Sequence, residues 1–184
     1  MYGDLEQVLY HESTIFARLD ELAREITRHY SNVRGDLVVL AILDGGLIFM
    51  ADLMRRVNLP LQFRTLSVSS YYGGTESSGE VKILGELPDV KGKHVLLMDD
   101  ILDSGRTLAA VKKRVQDDCD PVSVQICVLL QKKKPRAEEV SADYVAFEIE
   151  DEFVVGYGLD YQGCYRNLPV IGTLKTELIL PEHR

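Results

Sequence analysis

Apolar residues recur along the chain with two periods, one typical of amphipathic helices and one typical of buried strands. From Ser13 to Tyr30 they fall at helical spacing, so we expect a helix there with Ser13 as its N-cap. The run from Leu37 to Leu43 is apolar at every position, as in a central parallel strand that is covered on both faces. A helix and a fully buried strand in succession indicate an α/β protein.

The pattern continues through the rest of the chain. Asp44, Gly45 and Gly46 end the first strand, and Leu47 to Val57 follows as a helix that is apolar on almost every side, which predicts deep burial or a subunit interface. Further strands are expected at Leu61 to Ser70, Val81 to Leu84, Val95 to Met98, Val122 to Leu130, Tyr144 to Ile149 and Phe153 to Val155. Strands that alternate with helices predict a mostly parallel, twisted sheet flanked by helices.

Composition narrows the class of protein. A chain of 184 residues with 46% hydrophobic residues is expected to form a single domain, residues 1–184. Its net charge of −8 argues against a surface for nucleic acid, which needs a basic stripe. The three cysteines are odd in number and lack C-x-x-C spacing, so free thiols in a reducing compartment are expected. With no signal-like N-terminus and no apolar stretch of membrane-spanning length, we expect a cytoplasmic protein without a membrane partner.

The most informative segment runs from Val95 to Leu108. Its apolar strand ends in two adjacent carboxylates, Asp99 and Asp100, which suit sugar hydroxyls or a hard cation such as Mg²⁺. Open α/β sheets bind ligands at this end of a strand. Asp103 comes next, followed by residues that offer backbone N–H groups, hydroxyls and a cation at a helix N-terminus, which suit a phosphate: Ser104, Gly105, Arg106 and Thr107. One loop that accepts both a diol and a phosphate predicts a sugar phosphate ligand.

This segment resembles the phosphoribosyl pyrophosphate motif of the type I phosphoribosyltransferases. The resemblance implies that Asp99 and Asp100 hold the ribose hydroxyls, that residues 104–107 wrap the 5′-phosphate, and that Asp103 is the catalytic base. It also implies a core at about residues 35–150 and a small hood, built from the N-terminal segment and residues from about 152 to 184. A carboxylate beside N7 would take the proton that the purine loses, although an Asp at this position can also cap the following helix.

A second region resembles the purine-binding part of hypoxanthine-guanine phosphoribosyltransferases. It comprises KKKPR at residues 132–136 and EFVVGYGLDY at residues 152–161. The resemblance places Lys132 on the purine O6, and an ammonium, which only donates, cannot receive a bond from adenine's amino group. For Lys133 and Lys134 we expect ordinary solvated charges.

The same resemblance assigns roles to four later residues. Phe153 would stack on the purine, though core packing remains an alternative for it, and Val154 would offer only backbone groups to the base. Asp160 would help to hold Mg²⁺, and Arg166 would bind pyrophosphate. Charge counting also predicts Mg²⁺, because Asp99, Asp100, Asp103 and Asp160 would otherwise repel a polyanionic substrate.

Two loops complete the expected site. Tyr71 to Glu80 is rich in Gly and Ser and is predicted to be a mobile loop, and the resemblance makes Ser70 and Tyr71 a lid over the reacting centre. Asp44 stands before Gly45 where the family often carries a basic residue, which puts affinity for pyrophosphate in doubt. The family binds pyrophosphate here through backbone N–H groups beside a non-proline cis peptide, so we expect a strained peptide at Leu43–Asp44 rather than ordinary trans geometry.

The leading hypothesis is therefore an enzyme that transfers the phosphoribosyl group of phosphoribosyl pyrophosphate to N9 of hypoxanthine or guanine, with Mg²⁺ and without nucleic acid. One alternative is an enzyme that prefers xanthine. Another is an RNA-binding pyrimidine-operon regulator of the same fold, which would need a basic face that a pI of about 5.0 disfavours. The apolar helix from Leu47 to Val57 and the family's habits suggest a homodimer or homotetramer.

Overall fold

The computed structural model describes residues 1–70 and 81–180. Nine strands and three α-helices lie in these residues, with short 3-10 helices at Tyr2–Asp4 and Thr176–Leu178. The strands are β1 Leu5–Tyr10, β2 Leu37–Leu43, β3 Gln62–Ser70, β4 Val81–Leu84, β5 His94–Leu102, β6 Ser123–Lys132, β7 Tyr144–Ile149, β8 Val154–Val155 and β9 Ile171–Leu174. The helices are α1 Glu12–Tyr30, α2 Gly46–Met54 and α3 Arg106–Cys119.

Six strands form the main sheet in the order β4-β3-β2-β5-β6-β7. All neighbours in it are parallel except the edge strand β4, which pairs antiparallel with β3. The predicted mostly parallel α/β sheet is therefore confirmed. Because parallel strands share one direction, the carboxyl ends of β2, β5 and β6 meet at one edge of this sheet.

Both faces of the main sheet are covered, which explains the unbroken apolar run in β2. Alternate side chains of a strand point to opposite faces, and Val39 and Ala41 pack in the core formed with α1 and α2. Val38, Leu40 and Ile42 belong to the opposite core, with α3. A strand with two buried faces cannot alternate between apolar and polar residues.

A smaller antiparallel sheet, β1-β9-β8, is here called the hood sheet. The N-terminal strand β1 pairs with β9, and β9 pairs with β8, so this sheet joins the two ends of the chain. A turn of the hood sheet is tied to α2, because the Tyr157 hydroxyl donates a 2.7 Å hydrogen bond to Asp52. That contact fixes the hood sheet against the main sheet.

Several element boundaries differ from those predicted. α1 begins at Glu12, with His11 rather than Ser13 at the N-cap and no side-chain capping bond. Glu12 in the first turn suits the positive end of the helix dipole instead. α2 ends at Met54 and is only partly buried, with Leu47 47% exposed, so deep burial was wrong for its outer face.

The Leu43–Asp44 peptide bond is cis, and the expected departure from trans geometry is confirmed. The predicted mobile loop from Tyr71 to Glu80 lies outside the described residues. Among the described helices, none combines the length and the apolar character that crossing a membrane requires.

Candidate active site

β5 carries the acidic pair into the interior of the molecule. The strand continues to Leu102 instead of ending at Met98, because residues 99–102 still pair with β6. Its pairing with β2 stops at Ala41 and Met98. Beyond that point the loop of residues 44–46 lies against β5, with Gly45 at the Asp100 side chain and Gly46 at the backbone of Met98 and Asp99.

Gly45 lies directly against the Asp100 carboxylate. A Cβ at position 45 would be 1.9 Å from Asp100 Oδ2, so no side chain fits between them. The hood contributes a second close approach, since a Cβ on Gly158 would be 2.6 Å from the Gly45 carbonyl oxygen. Gly158 has φ +102, a conformation open to glycine. The 44–46 loop is thus held between Asp100 and the hood. Asp44 itself is exposed.

Burial dominates the electrostatics of the acidic pair. It raises the pKa of Asp99 well above its usual range, and the neighbouring Asp100 charge adds to this. Burial also raises the pKa of Asp100 to about 6, against the opposing effects of a hydrogen bond with Asp99 and the Arg166 charge. Asp99 is only 8% exposed, and its Oδ1 accepts a 3.0 Å hydrogen bond from the Asp100 amide. Two carboxyl groups with raised pKa values favour a bound cation.

The loop after β5 leads into α3 through Gly105, which has φ +80. A Cβ there would lie 2.6 Å from Val140 Cγ1, so glycine is needed for both backbone and space. The Ser104 carbonyl accepts bonds from the amides of Ala137 and Glu138, which ties this loop to the segment after β6. A cavity of about 280 Å³ lies here, lined by Asp99, Asp100, Ile101, Leu102, Asp103, Ser104, Gly105, Thr107 and Leu108. Arg106, the first residue of α3, is exposed beside it.

A second cavity, of about 180 Å³, adjoins the first. It shares Asp100, Ile101 and Asp103 with it and adds Lys132, Glu152, Phe153, Val154, Leu159 and Asp160. Four predicted purine-site residues are therefore brought together: Lys132, Phe153, Val154 and Asp160. The Phe153 ring packs edge-on against Tyr161 at 5.3 Å while it lines the cavity, so packing and cavity lining coexist in this residue.

Arg166 reaches the same region from the hood. Its guanidinium forms an ion pair with Asp160 at 2.7 Å and donates to the Gly158 carbonyl at 2.5 Å. Of the predicted lid, Ser70 ends β3 and Tyr71 lies outside the described residues. The structure thus brings every other predicted site residue to one edge of the main sheet.

Lys134 contradicts the expectation of a solvated charge. Its ammonium is 2.6 Å from Asp103 Oδ1 and 3.0 Å from Asp151 Oδ1, and its side chain is only 27% exposed. Lys134 lies on the same side as Lys132, since both ammonium groups contact Asp103 and Asp151, whereas Lys133 pairs with Glu150 at 49% exposure. Residues 133 and 134 form a bend after the end of β6, so no local pattern in the sequence predicts this arrangement. Asp151, also overlooked, accepts from both Lys132 and Lys134.

Within residues 1–70 and 81–180, no three His, Cys, Asp or Glu side chains are arranged to hold a metal by themselves. Asp100 and Asp160 nevertheless line one cavity, and the charge of Asp160 adds to the effect of burial in raising the pKa of Asp100. Two carboxylates that line one cavity fit Mg²⁺ held by few protein ligands and by phosphate oxygens of a substrate.

Comparisons with known proteins identify the architecture. The family model of the phosphoribosyl transferase domain matches residues 7–162. The hypoxanthine-guanine phosphoribosyltransferase of Staphylococcus aureus strain Mu50 is 44% identical over 179 residues, which are 97% of this chain and 98% of that relative. A bifunctional protein TilS/HprT of Listeria monocytogenes serotype 4b is 46% identical over 97% of this chain, but the chain spans only 27% of its length.

Solved structures agree with these sequence matches. The crystal structure of a hypoxanthine phosphoribosyltransferase from Staphylococcus aureus superposes with a TM-score of 0.91 at 43% identity, covering 98% of this chain and 97% of that one. A hypoxanthine phosphoribosyl transferase of Trypanosoma cruzi gives a TM-score of 0.89 at 36% identity, over 96% and 95% of the two chains. Because the family model matches most of the chain and relatives of this family match nearly all of it, the chain belongs to the phosphoribosyl transferase domain family.

Proposed function

We propose that the protein transfers the phosphoribosyl group of phosphoribosyl pyrophosphate to N9 of hypoxanthine or guanine, releasing pyrophosphate. The observation that carries this proposal is the pairing of Lys132 and Asp103. The Lys132 ammonium lies 3.3 Å from Asp103 Oδ2 at the wall of the smaller cavity. A donor beside an acceptor complements a free 6-oxopurine protonated at N7, which presents the O6 acceptor and the N7–H donor on one edge. Relatives named for this activity support the assignment.

In this proposal the two cavities take the two substrates. The larger one, with Ser104, Gly105, Arg106 and Thr107, receives the 5′-phosphate, and Asp99 and Asp100 face the ribose hydroxyls. The 44–46 loop and Arg166 receive the pyrophosphate. The smaller cavity receives the base, between Phe153 and the backbone of Val154, with O6 on Lys132. The two substrates would meet at Asp100, Ile101 and Asp103, which line both cavities.

Asp103 acts as the general base in this assignment. The purine loses its N7 proton as the anomeric carbon is attacked, and a carboxylate oxygen beside N7 accepts it. Lys132 stabilises the negative charge that develops on O6 as the proton leaves. Ser70 and Tyr71 are proposed to close over this centre and exclude water, which would otherwise capture the oxocarbenium-like ribose.

Mg²⁺ is part of the proposal, with Asp99, Asp100 and Asp160 as the residues that would hold it. Asp100 and Asp160 fit best, since they face one cavity, whereas Asp99 is nearly buried. When bound, the ion would neutralise the pyrophosphate and make it a better leaving group.

The whole chain is proposed to act as one domain, residues 1–184, with the hood sheet completing the base site. We also propose a homo-oligomer in the cytoplasm. The exposure of Leu47 on α2 and of Phe63 on β3, at 47% and 61%, supports self-association. The cysteines are free, and Cys127 is buried, as suits a reducing compartment. Light scattering of the purified protein tests the assembly, and a monomer at micromolar concentration would contradict it.

The decisive experiment measures pyrophosphate release with phosphoribosyl pyrophosphate, Mg²⁺ and each of hypoxanthine, guanine, xanthine and adenine. Release with hypoxanthine and guanine but not adenine is the expected result. Faster release with xanthine would select the xanthine-preferring alternative. No release with any 6-oxopurine would refute the proposed enzyme and reopen the RNA-binding alternative.

The variant Asp103→Asn tests the general base. Its turnover should fall by about a hundred- to ten-thousandfold, while binding of phosphoribosyl pyrophosphate changes little, because the amide cannot take the proton. Asp118→Asn is the matched control, since Asp118 forms only an exposed pair with Arg114 on α3. Equal turnover of the Asp103 variant and the unaltered protein would remove Asp103 from the reaction.

A further inference from the structure

Lys134 contacts the proposed general base, Asp103, although neither motif assigns it a role. Lys132 ends β6, and the chain continues beside β7, where the Lys133 amide donates to the Ile149 carbonyl at 2.9 Å. The chain bends at residues 133 and 134, and both Lys132 and Lys134 reach Asp103 whereas Lys133 pairs with Glu150. The exposed fractions agree, at 11% for Lys132 and 27% for Lys134 against 49% for Lys133.

The Asp103 carboxylate is held by both of its oxygens. Lys134 contacts Oδ1 at 2.6 Å, and Lys132 contacts Oδ2 at 3.3 Å. Asp151 closes the ring on the far side, with its Oδ1 2.9 Å from the Lys132 ammonium and 3.0 Å from that of Lys134. Two ammonium groups and two carboxylates thus form a cluster without net charge.

Such a ring restricts a side chain that would otherwise move. Asp103 is 40% exposed and belongs to a loop, so without partners its carboxylate would sample several rotamers. Each carboxylate oxygen has two acceptor positions, and the lysines leave further positions open for the purine N7 proton. The hydrogen bond to Asp103 raises the pKa of Lys134, so its ammonium stays charged during turnover at neutral pH.

Lys134 also has a different task from Lys132. Lys132 lines the base cavity. Two of its three N–H groups can donate to Asp103 and Asp151, and the third remains available for a purine oxygen. Lys134 does not line that cavity. Its loss should therefore affect the placement of Asp103 rather than the binding of the base.

We infer that Lys134 is a positioning residue for the reaction, which fixes the Asp103 carboxylate in the orientation that accepts the N7 proton. Asp151 supports it by holding both lysines. The inference rests on the proposed function, in which Asp103 is the general base. It adds a residue that acts through Asp103 and touches neither substrate.

The test compares Lys134→Gln, Lys134→Arg and Lys133→Gln with the unaltered protein in the pyrophosphate release assay. Lys134→Gln should lower kcat for hypoxanthine about tenfold while both KM values change by less than about twofold, because an interaction made for the transition state is lost. Lys134→Arg keeps the charge and should recover most of the loss. Lys133→Gln is the matched control within the same lysine run and should leave the kinetics unchanged.

Three outcomes would overturn the inference while leaving the proposed function intact. One is an unchanged or higher kcat in Lys134→Gln. Another is a rise in the KM for the base as large as the fall in kcat, which would place Lys134 in binding. The third is a lower melting temperature in Lys134→Gln together with a kcat that does not recover in Lys134→Arg, which would indicate a role in folding alone. If the unaltered protein releases no pyrophosphate with any 6-oxopurine, the proposed function fails first and the inference falls with it.

Discussion

Asp99 and Asp100 are neighbouring carboxyl groups, the first buried and the second half-buried where it lines both cavities. The pKa of an exposed aspartate is near 3.8, whereas burial raises the pKa of Asp100 to about 6. The folded protein therefore binds more protons than the unfolded chain between these two values. Stability from this group is full at low pH and is lost as the pH rises from about 4 to about 6.

Asp100→Asn should expose this effect, because an amide has the same shape and no charge to desolvate. Without Mg²⁺, we expect the variant to gain stability relative to the unaltered protein as the pH rises from 4 to 7. The gain should be about 3 kcal/mol, because each pKa unit is worth about 1.4 kcal/mol and the pKa of about 6 already includes the opposing effects of Asp99 and Arg166. Urea unfolding at the two pH values measures it.

Asp120→Asn is the control for this prediction, since Asp120 is 81% exposed and its left-handed backbone (φ 48) suits Asn equally well. Its stability difference from the unaltered protein should not depend on pH over this range. A constant difference for Asp100→Asn as well would show that burial does not penalise the Asp100 charge.

At the scale of single residues, the sequence predicts which residues belong to the candidate site better than it predicts which residues they contact. Asp99, Asp100, Asp103 and Lys132 were named because ordered motifs carry chemistry in residue types and spacing. Lys134 was missed, because a run of three lysines usually indicates a solvated surface. The chain bends at residues 133 and 134, after the end of β6, so the alternation of a strand does not predict which of these lysines turns towards Asp103.

Two elements of the site are in close backbone contact: the loop of residues 44–46 and the hood turn of residues 156–158. The Gly45 carbonyl would lie 2.6 Å from a Cβ on Gly158. The Tyr157 hydroxyl holds this turn on Asp52 of α2. The hood therefore has little freedom to move away from the loop if a side chain is introduced.

Gly158→Ala should force these two elements apart. We expect a loss of about 2–4 kcal/mol in the free energy of unfolding and a higher KM for phosphoribosyl pyrophosphate, because the displaced backbone belongs to the proposed pyrophosphate loop. Denaturant unfolding and steady-state kinetics measure the two effects.

Gly163→Ala is the control that separates the effect of a positive φ from the effect of the contact between Gly158 and Gly45. Gly163 also has a positive φ, +76, but nothing lies within 4 Å of its would-be Cβ. This variant should cost about 1 kcal/mol and leave the KM unchanged. Equal effects of the two substitutions would mean that the contact with Gly45 does not matter.

The sequence predicts which segments form helices and strands better than it predicts the residues at which they end. The double-sided burial of β2 follows directly from its apolar run. β5 runs four residues beyond the predicted end, through Asp99 to Leu102, because β6 continues to pair with it. The hydrogen bond between Tyr157 and Asp52 joins residues 105 apart, and no local pattern indicates it. Strand ends and long-range side-chain contacts depend on pairing between distant segments, whereas the spacing of apolar residues reports only the environment of each segment.

At the scale of the whole molecule, the proposed substrates would bridge the main sheet and the hood. Asp103 and Lys132 belong to the main sheet side, and Phe153, Val154 and Asp160 come from the hood side of the same cavity. A ligand that contacts both parts binds the folded state and not the unfolded chain. Binding should therefore stabilise the protein by mass action.

Phosphoribosyl pyrophosphate with Mg²⁺ should raise the free energy of unfolding by about 2.7 kcal/mol at a ligand concentration of 100 times Kd. With EDTA in place of Mg²⁺ the rise should be much smaller, because the phosphates would then approach Asp100 and Asp160 without a cation between them. Thermal unfolding at matched ionic strength measures both conditions, and Mg²⁺ alone serves as the control. An equal rise with and without Mg²⁺ would mean that Arg166 and the backbone amides suffice for the pyrophosphate. The raised pKa of Asp100 would then reflect burial alone and not a binding site for a cation.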